Sequence, residues 1–168
     1  MNAKLIVEGK EFDIEIYDLE LQKLIAPPKK HTGYERVNKS EQYWNDLDGR
    51  VECSIESNYK EDKDCYEVAN YYSDKTVAEN NVRADKLMRQ LRKFAVEHRE
   101  KELDWSDDNQ PKYYISVISD NKTLDIEYVY IRRNFAAIYF DSKATTQLAI
   151  DTFHDELVWY FTEYKDSL

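Results

Sequence analysis

YYSDK at residues 71–75 and YFDSK at residues 139–143 fix the layout of the chain, because each sets two aromatic residues at a strand-to-helix junction, 68 positions apart. An aromatic pair reads as the end of a buried strand. Ser142 carries a side-chain oxygen that can accept a hydrogen bond from the first-turn amides of a helix. Downstream of the first junction, Val77, Ala84, Leu87, Met88, Leu91, Phe94 and Ala95 share one apolar arc, which predicts a long helix from about Asp74 to about Glu100. His98 falls on the same arc. Downstream of the second, Ala149, Ile150, Phe153, Leu157, Tyr160, Phe161 and Tyr164 do the same. Val82 and Ile150 match at the shared offset.

Working outward, Tyr43-Trp44, a break at Asn45-Asp46-Leu47-Asp48-Gly49, and alternating Val51, Cys53 and Ile55 predict a hairpin. A polar loop through Lys60-Glu61-Asp62-Lys63-Asp64 then leads to a short strand near Tyr66 to Tyr72. The second half repeats the pattern. Tyr113 to Ile118, a turn at Ser119-Asp120-Asn121-Lys122, and alternating Leu124, Ile126, Tyr128 and Tyr130 predict another hairpin, extended by a strand over Phe135 to Phe140. The expected fold is α+β: antiparallel sheet with two long helices, built as a degenerate duplication of a strand-strand-strand-helix unit.

The N-terminal stretch predicts a hairpin of its own, with Leu5, Ile6 and Val7, a turn at Glu8-Gly9-Lys10, and Phe12, Ile14 and Ile16 alternating with acids. Asp18 is placed to cap a short helix carrying Leu19, Leu21, Leu24 and Ile25, which Pro27-Pro28 must end. Residues 27–38 read as a linker. The expectation is one domain over 1–168, with sub-units 1–37, 38–103 and 104–168.

Composition bounds the function. A chain of 168 residues that spends 14 Tyr, 6 Phe and 3 Trp is folded, since large rings stabilise only what can bury them. With 3 Gly it cannot build a glycine-rich phosphate loop, and GxSxG, GxxxxGK[ST] and HExxH are all missing. His31, His98 and His154 belong to no catalytic pattern. Asp46-Leu47-Asp48-Gly49 and Asp62-Lys63-Asp64 resemble pieces of calcium loops without the required Gly and Glu spacing. Cys53 and Cys65 make neither a disulfide framework nor a zinc pattern. The expectation is therefore no enzyme, no metal and no cofactor. The opening lacks a charged stretch followed by an apolar run, and no segment is apolar enough to span a membrane, which together predict a cytoplasmic protein.

The formal charge of −10 repels nucleic-acid phosphates, disfavours direct nucleic-acid binding and suits a basic protein partner. The acids concentrate on the strands and the last helix; only the segment from Ser73 to Leu103 is net positive. In the last helix Leu148 and Trp159 project off the apolar arc, on a side with Asp155, Glu156, Glu163 and Asp166. A large ring among carboxylates reads as an anchor for a basic partner. Asp125 and Glu127 add acid on an exposed strand face. Lys86, Arg89, Arg92 and Lys93 form a basic stripe on the long helix, which suits an acidic surface, including a second copy of the chain in a homodimer. The same stripe, in a basic helix over 83–93, is the basis of an alternative reading as a nucleic-acid-binding accessory module.

Several stretches together carry a resemblance: Lys4-Leu5-Ile6-Val7-Glu8-Gly9-Lys10-Glu11-Phe12-Asp13-Ile14-Glu15-Ile16, Thr32-Gly33-Tyr34-Glu35-Arg36-Val37, Tyr43-Trp44 with Asp48-Gly49-Arg50-Val51, Asn70-Tyr71-Tyr72, Leu103-Asp104-Trp105 and Tyr139-Phe140. In these the chain resembles small, mostly uncharacterised proteins of phages and mobile elements of low-GC Gram-positive bacteria. Thr76-Val77 and Ser142-Lys143-Ala144-Thr145-Thr146 depart from that pattern. The resemblance implies no catalytic residue. It implies an interaction protein that inhibits a host nucleic-acid-handling or defence enzyme by occupying a basic surface, in the manner of an anti-CRISPR protein on a Cas nuclease.

Overall fold

The computed structural model describes residues 2–8, 10–15, 31–118 and 123–166. They fall into two compact units, residues 1–31 and 32–168. The first holds a hairpin, β1 (Asn2–Val7) antiparallel to β2 (Lys10–Glu15), in a register that sets Asn2 opposite Glu15 and Val7 opposite Lys10. Lys4 Nζ reaches Glu11 at 2.7 Å across the strands. Phe12, expected on a buried face, is about half exposed. The short helix expected near Leu19 to Ile25 lies outside the described residues.

The second unit runs β3 (Gln42–Leu47), β4 (Arg50–Ile55), α1 (Lys60–Glu67), α2 (Lys75–Glu97), β5 (Lys112–Ile118), β6 (Thr123–Val129) and α3 (Lys143–Thr162). It is α+β, with two antiparallel hairpins and two long helices. Asp48 and Gly49 both have positive φ, at 54° and 82°, the geometry of the two-residue turn whose twist matches a hairpin. That turn fixes Leu47 opposite Arg50, and hence Trp44 opposite Cys53. Both long helices are capped, the second at Ser142 as the sequence predicts: Ser142 accepts from Thr145 N at 3.1 Å, and Asp74 from Val77 N at 2.9 Å. Among the described residues no helix is long and apolar enough to cross a membrane.

One residue before each cap pair, the chain makes a single antiparallel bridge to its hairpin. Tyr72 pairs with Trp44, and Phe140 with Tyr113. These single bridges replace the third strands expected near Tyr66 to Tyr72 and over Phe135 to Phe140. Upstream of Tyr72 the polar stretch is helical, because the Asp62 carboxylate collects the Ser57 and Tyr59 amides at 2.9 and 3.0 Å and starts a turn. Upstream of Phe140 the chain turns, with Ala137 N donating to Asn134 O at 3.3 Å and Ala136 at φ 63°. A left-handed alanine cannot continue a strand.

The main core joins Leu87, Leu91, Phe94 and Ala95 of α2 to Ala149, Ile150 and Leu157 of α3 and to Phe140. Tyr113, Ile115, Leu124 and Ile126 cover it from one face of the β5-β6 hairpin. A smaller cluster sets Val77 and Ala78 of α2 against Tyr72, Trp44, Tyr34 and Val51. The end of the expected linker is part of this fold. Glu35 accepts from Thr32 N, Thr32 Oγ1, Gly33 N and Ser73 Oγ at 2.6 to 3.0 Å, and Arg36 grips the buried Glu56 through two bonds of 2.9 Å. His98 is the C-cap of α2, exposed, with its ring stacked on Phe94 at 3.9 Å. It is not on the buried arc.

Candidate functional site

Strand β5 has two edges. Its residues pair with β6 from Lys112 opposite Val129 to Ile118 opposite Thr123. In an antiparallel ladder successive residues direct their N–H and C=O groups to opposite edges. Tyr113 exchanges both its backbone bonds with Phe140, at 3.0 and 2.8 Å, on the edge away from β6. Ile115 and Val117 therefore present their N–H and C=O groups to that same outer edge. Among the described residues Tyr113–Phe140 is the only bridge there. The turn at Ala136 carries the neighbouring chain off instead of pairing it.

Between this open edge and residues 134–138 lies an apolar groove of about 340 Å³. Met88 and Leu91 of α2, with Leu157, Tyr160 and Phe161 of α3, form its floor, and Ile138 lies on the far side. Phe135 stands on the rim with its side chain fully exposed. Ser116 lines the groove as well, and its hydroxyl is buried with no partner among the described residues. An open strand edge above an apolar trough is the geometry that accepts an extended peptide: main-chain bonds hold it and alternate side chains fill the trough.

The opposite face of the hairpin is acidic. Tyr114 lies across from Glu127 and Ser116 across from Asp125, and both acids are exposed. The Tyr114 hydroxyl donates to the Glu127 carboxylate, and that bond makes the phenol hold its proton more tightly than an ordinary tyrosine does. This pair of acids is where the alternation placed them.

The other expected residues do not form one site. Trp159 is buried at 9% exposure, with the Arg83 guanidinium 3.9 Å above its ring and Tyr164 beside it. It is no exposed anchor. Glu156 is engaged by the same Arg83 through bonds of 2.8 and 3.1 Å, so it serves the contact between α2 and α3. The helix breaks at Phe153, whose φ of −114° and ψ of 21° are non-helical. Leu157, Tyr160 and Phe161 beyond it keep the core side that a single wheel assigns them, while Trp159 and Glu156 leave theirs for Arg83. Leu148, Asp155, Glu163 and Asp166 are exposed, and Asp155 meets His154 Nδ1 at 3.1 Å.

The basic stripe divides. Arg89 pairs with Asp46 at 3.4 Å and Lys93 with Glu97 at 3.6 Å. Lys86 lines a depression with Asp46, Asp48 and Arg50, a mixture of signs, while Arg92 turns toward Trp105 and Arg133 in a separate pocket. The groove itself escaped the sequence reading because its floor residues read as plain core. Phe135, a large ring among Asn134, Ala136 and Ala137, was its one visible signal. Comparison of the chain with protein-family models, curated proteins and solved structures gave no match.

Proposed function

We propose that the chain is an interaction protein that takes an extended segment of a partner protein as an added strand on the outer edge of β5. The observation that carries this reading is the pair of unpaired main-chain sites at Ile115 and Val117 above the apolar groove. A strand laid there would project alternate side chains into the trough. The remainder would lie on the face of Ser116 and Tyr114, with Asp125 and Glu127 one strand further, roughly 10 Å away by the usual strand spacing. Acids at that range favour Lys or Arg at the outward positions, screened by salt beyond about 8–10 Å. The favoured ligand is an alternating apolar-basic segment.

This keeps the basic partner that the net charge of −10 suggests and moves the contact from α3 to β5. The resemblance to phage and mobile-element proteins supports a host nucleic-acid-handling or defence enzyme as that partner, a Cas nuclease among them. Inhibition would follow from occupying the segment that the enzyme needs free.

The test is fluorescence anisotropy with labelled alternating Val-Lys, Val-Asp and backbone N-methylated Val-Lys peptides. Val-Lys binds best; N-methylation, which removes the main-chain donors, abolishes binding. Equal binding of the N-methylated peptide, or none of the Val-Lys peptide, would contradict strand addition. Sedimentation of the chain alone distinguishes a second copy seated on the same edge.

A further inference from the structure

On the other side of residues 134–138 lies a second pocket, of about 400 Å³, and its lining runs against the charge of the molecule. Arg92 from α2, Arg99 just beyond its end, and Arg133 ahead of the Ala136 turn all line it, together with Trp105 and Tyr139. The chain has 34 acids against 24 lysines and arginines, and among the described residues Arg36, Arg83, Arg89 and Arg99 each meet a carboxylate while Arg50 and Arg132 do not. Among the described residues Arg92 and Arg133 have none. Arg133 is held instead over the Trp105 ring at 4.3 Å, and Lys112 Nζ approaches the same ring at 5.5 Å. Arg99 meets only the highly exposed Glu102, at 3.3 Å, and its Nε is buried with no partner among the described residues.

Nearby acids do not answer this charge. Asp104 turns onto Ser106 N and Oγ, Asp107 onto Asn109 N, and Asp108 onto Asn109 Nδ2. Asp141 accepts from the amides of Glu100 and Lys101 at 2.7 and 2.9 Å through one oxygen, and its other oxygen is buried with no partner among the described residues. A cation near a helix C-terminus is favourable on its own account, which covers Arg99 just past Glu97 but not Arg92, more than a turn before it. Nor does it cover Arg133, which a different segment brings to the same place. Guanidiniums brought together without a counter-charge repel one another, and a buried N–H without an acceptor costs free energy. An anion in the pocket relieves both. Arginine's planar fork matches phosphate oxygens two at a time, and the pocket is of small-molecule size.

We infer that Arg92, Arg99 and Arg133 form a binding site for a phosphate-bearing small molecule, independent of the groove along β5. Inorganic phosphate and a nucleoside phosphate share that chemistry. The rings of Trp105 and Tyr139 distinguish them, because only the nucleotide gains a stacking surface. The experiment is a two-dimensional NMR titration of the arginine Nε–H signals of the full chain, with sodium phosphate in one arm, ATP in another and sodium chloride of matched ionic strength as reference. Saturable shifts of the Arg92, Arg99 and Arg133 signals are expected with phosphate, lost in the Arg92→Ala and Arg133→Ala variants. Tighter saturation by ATP assigns the nucleotide, and equal saturation assigns the phosphate group alone. Shifts no larger than those with chloride, or unchanged by both substitutions, overturn the site. Arg133 is exposed, so its replacement leaves the fold intact and keeps the outcome readable.

Discussion

Glu56 is a nearly fully buried carboxylate with every lone pair in use: Arg36 takes it with two bonds, Tyr71 donates its hydroxyl at 3.0 Å and Asn58 its amide at 2.8 Å. The Arg36 guanidinium, chiefly, holds the carboxyl at a pKa of about 2 against an ordinary 4.5. A depressed carboxylate contributes stability that is complete above 4.5 and lost as pH falls toward about 2. Urea midpoints measured through that window should fall, and fall less in Glu56→Gln. Removing the cation alone is worse, because it strands a buried charge. Arg36→Ala is expected to cost roughly 3 kcal/mol at neutral pH by chemical denaturation. Gly33 is a second such residue: at φ 88° an added Cβ would sit 2.7 Å from Val77 Cγ2. Gly33→Ala is expected to cost roughly 2 kcal/mol by the same measurement, from backbone strain and overpacking together. Neither residue was legible as structural in the sequence. Both lie where polar side chains, with no apolar period, tie the chain down.

At the scale of elements, what could be read was whatever announces itself locally. Asp74, Ser142 and the Asp48-Gly49 turn are short-range signals, and the apolar arcs of α2 and α3 repeat often enough to override noise. α1 was missed because only Asp62 among its residues is buried, which leaves no apolar stripe to find. Trp159 was misplaced because Arg83 of α2 and Tyr164 cover its ring, and no residue type on α3 marks that cover. Arg83 over Trp159 is a contact between two helices far apart in sequence. Such a contact is invisible to any local pattern. The open edge of β5 gives this scale its own prediction. Val117→Pro removes one outward donor, and proline is tolerated on an edge strand whose N–H faces out. The variant should keep its thermal midpoint while weakening alternating Val-Lys peptide binding about tenfold, the size of one well-made main-chain bond.

Across the whole molecule, the net charge of −10 conceals an uneven surface. Some of the acid is spent internally: Glu35 and Asp62 order loops, Glu56 locks Arg36, and Asp46 and Glu156 hold arginines of α2. What remains outward on the second hairpin is Asp125 and Glu127, one strand from the open edge of β5, with arginines gathered on the far side of residues 134–138. The α+β class, the hairpins and the two long helices were legible, the third strand of each expected unit was not formed, and the site was legible only as acid on β6. The groove exists because the chain between β6 and α3 turns away at Ala136 where an alternating pattern alone would have paired it. That claim is tested most directly by hydrogen exchange at the Ile115 and Val117 amides, with and without a saturating alternating Val-Lys peptide. Strand addition predicts that both amides exchange rapidly in the free chain and become protected in the complex. Amides already protected in the free chain, or unprotected in a saturated complex, would contradict it.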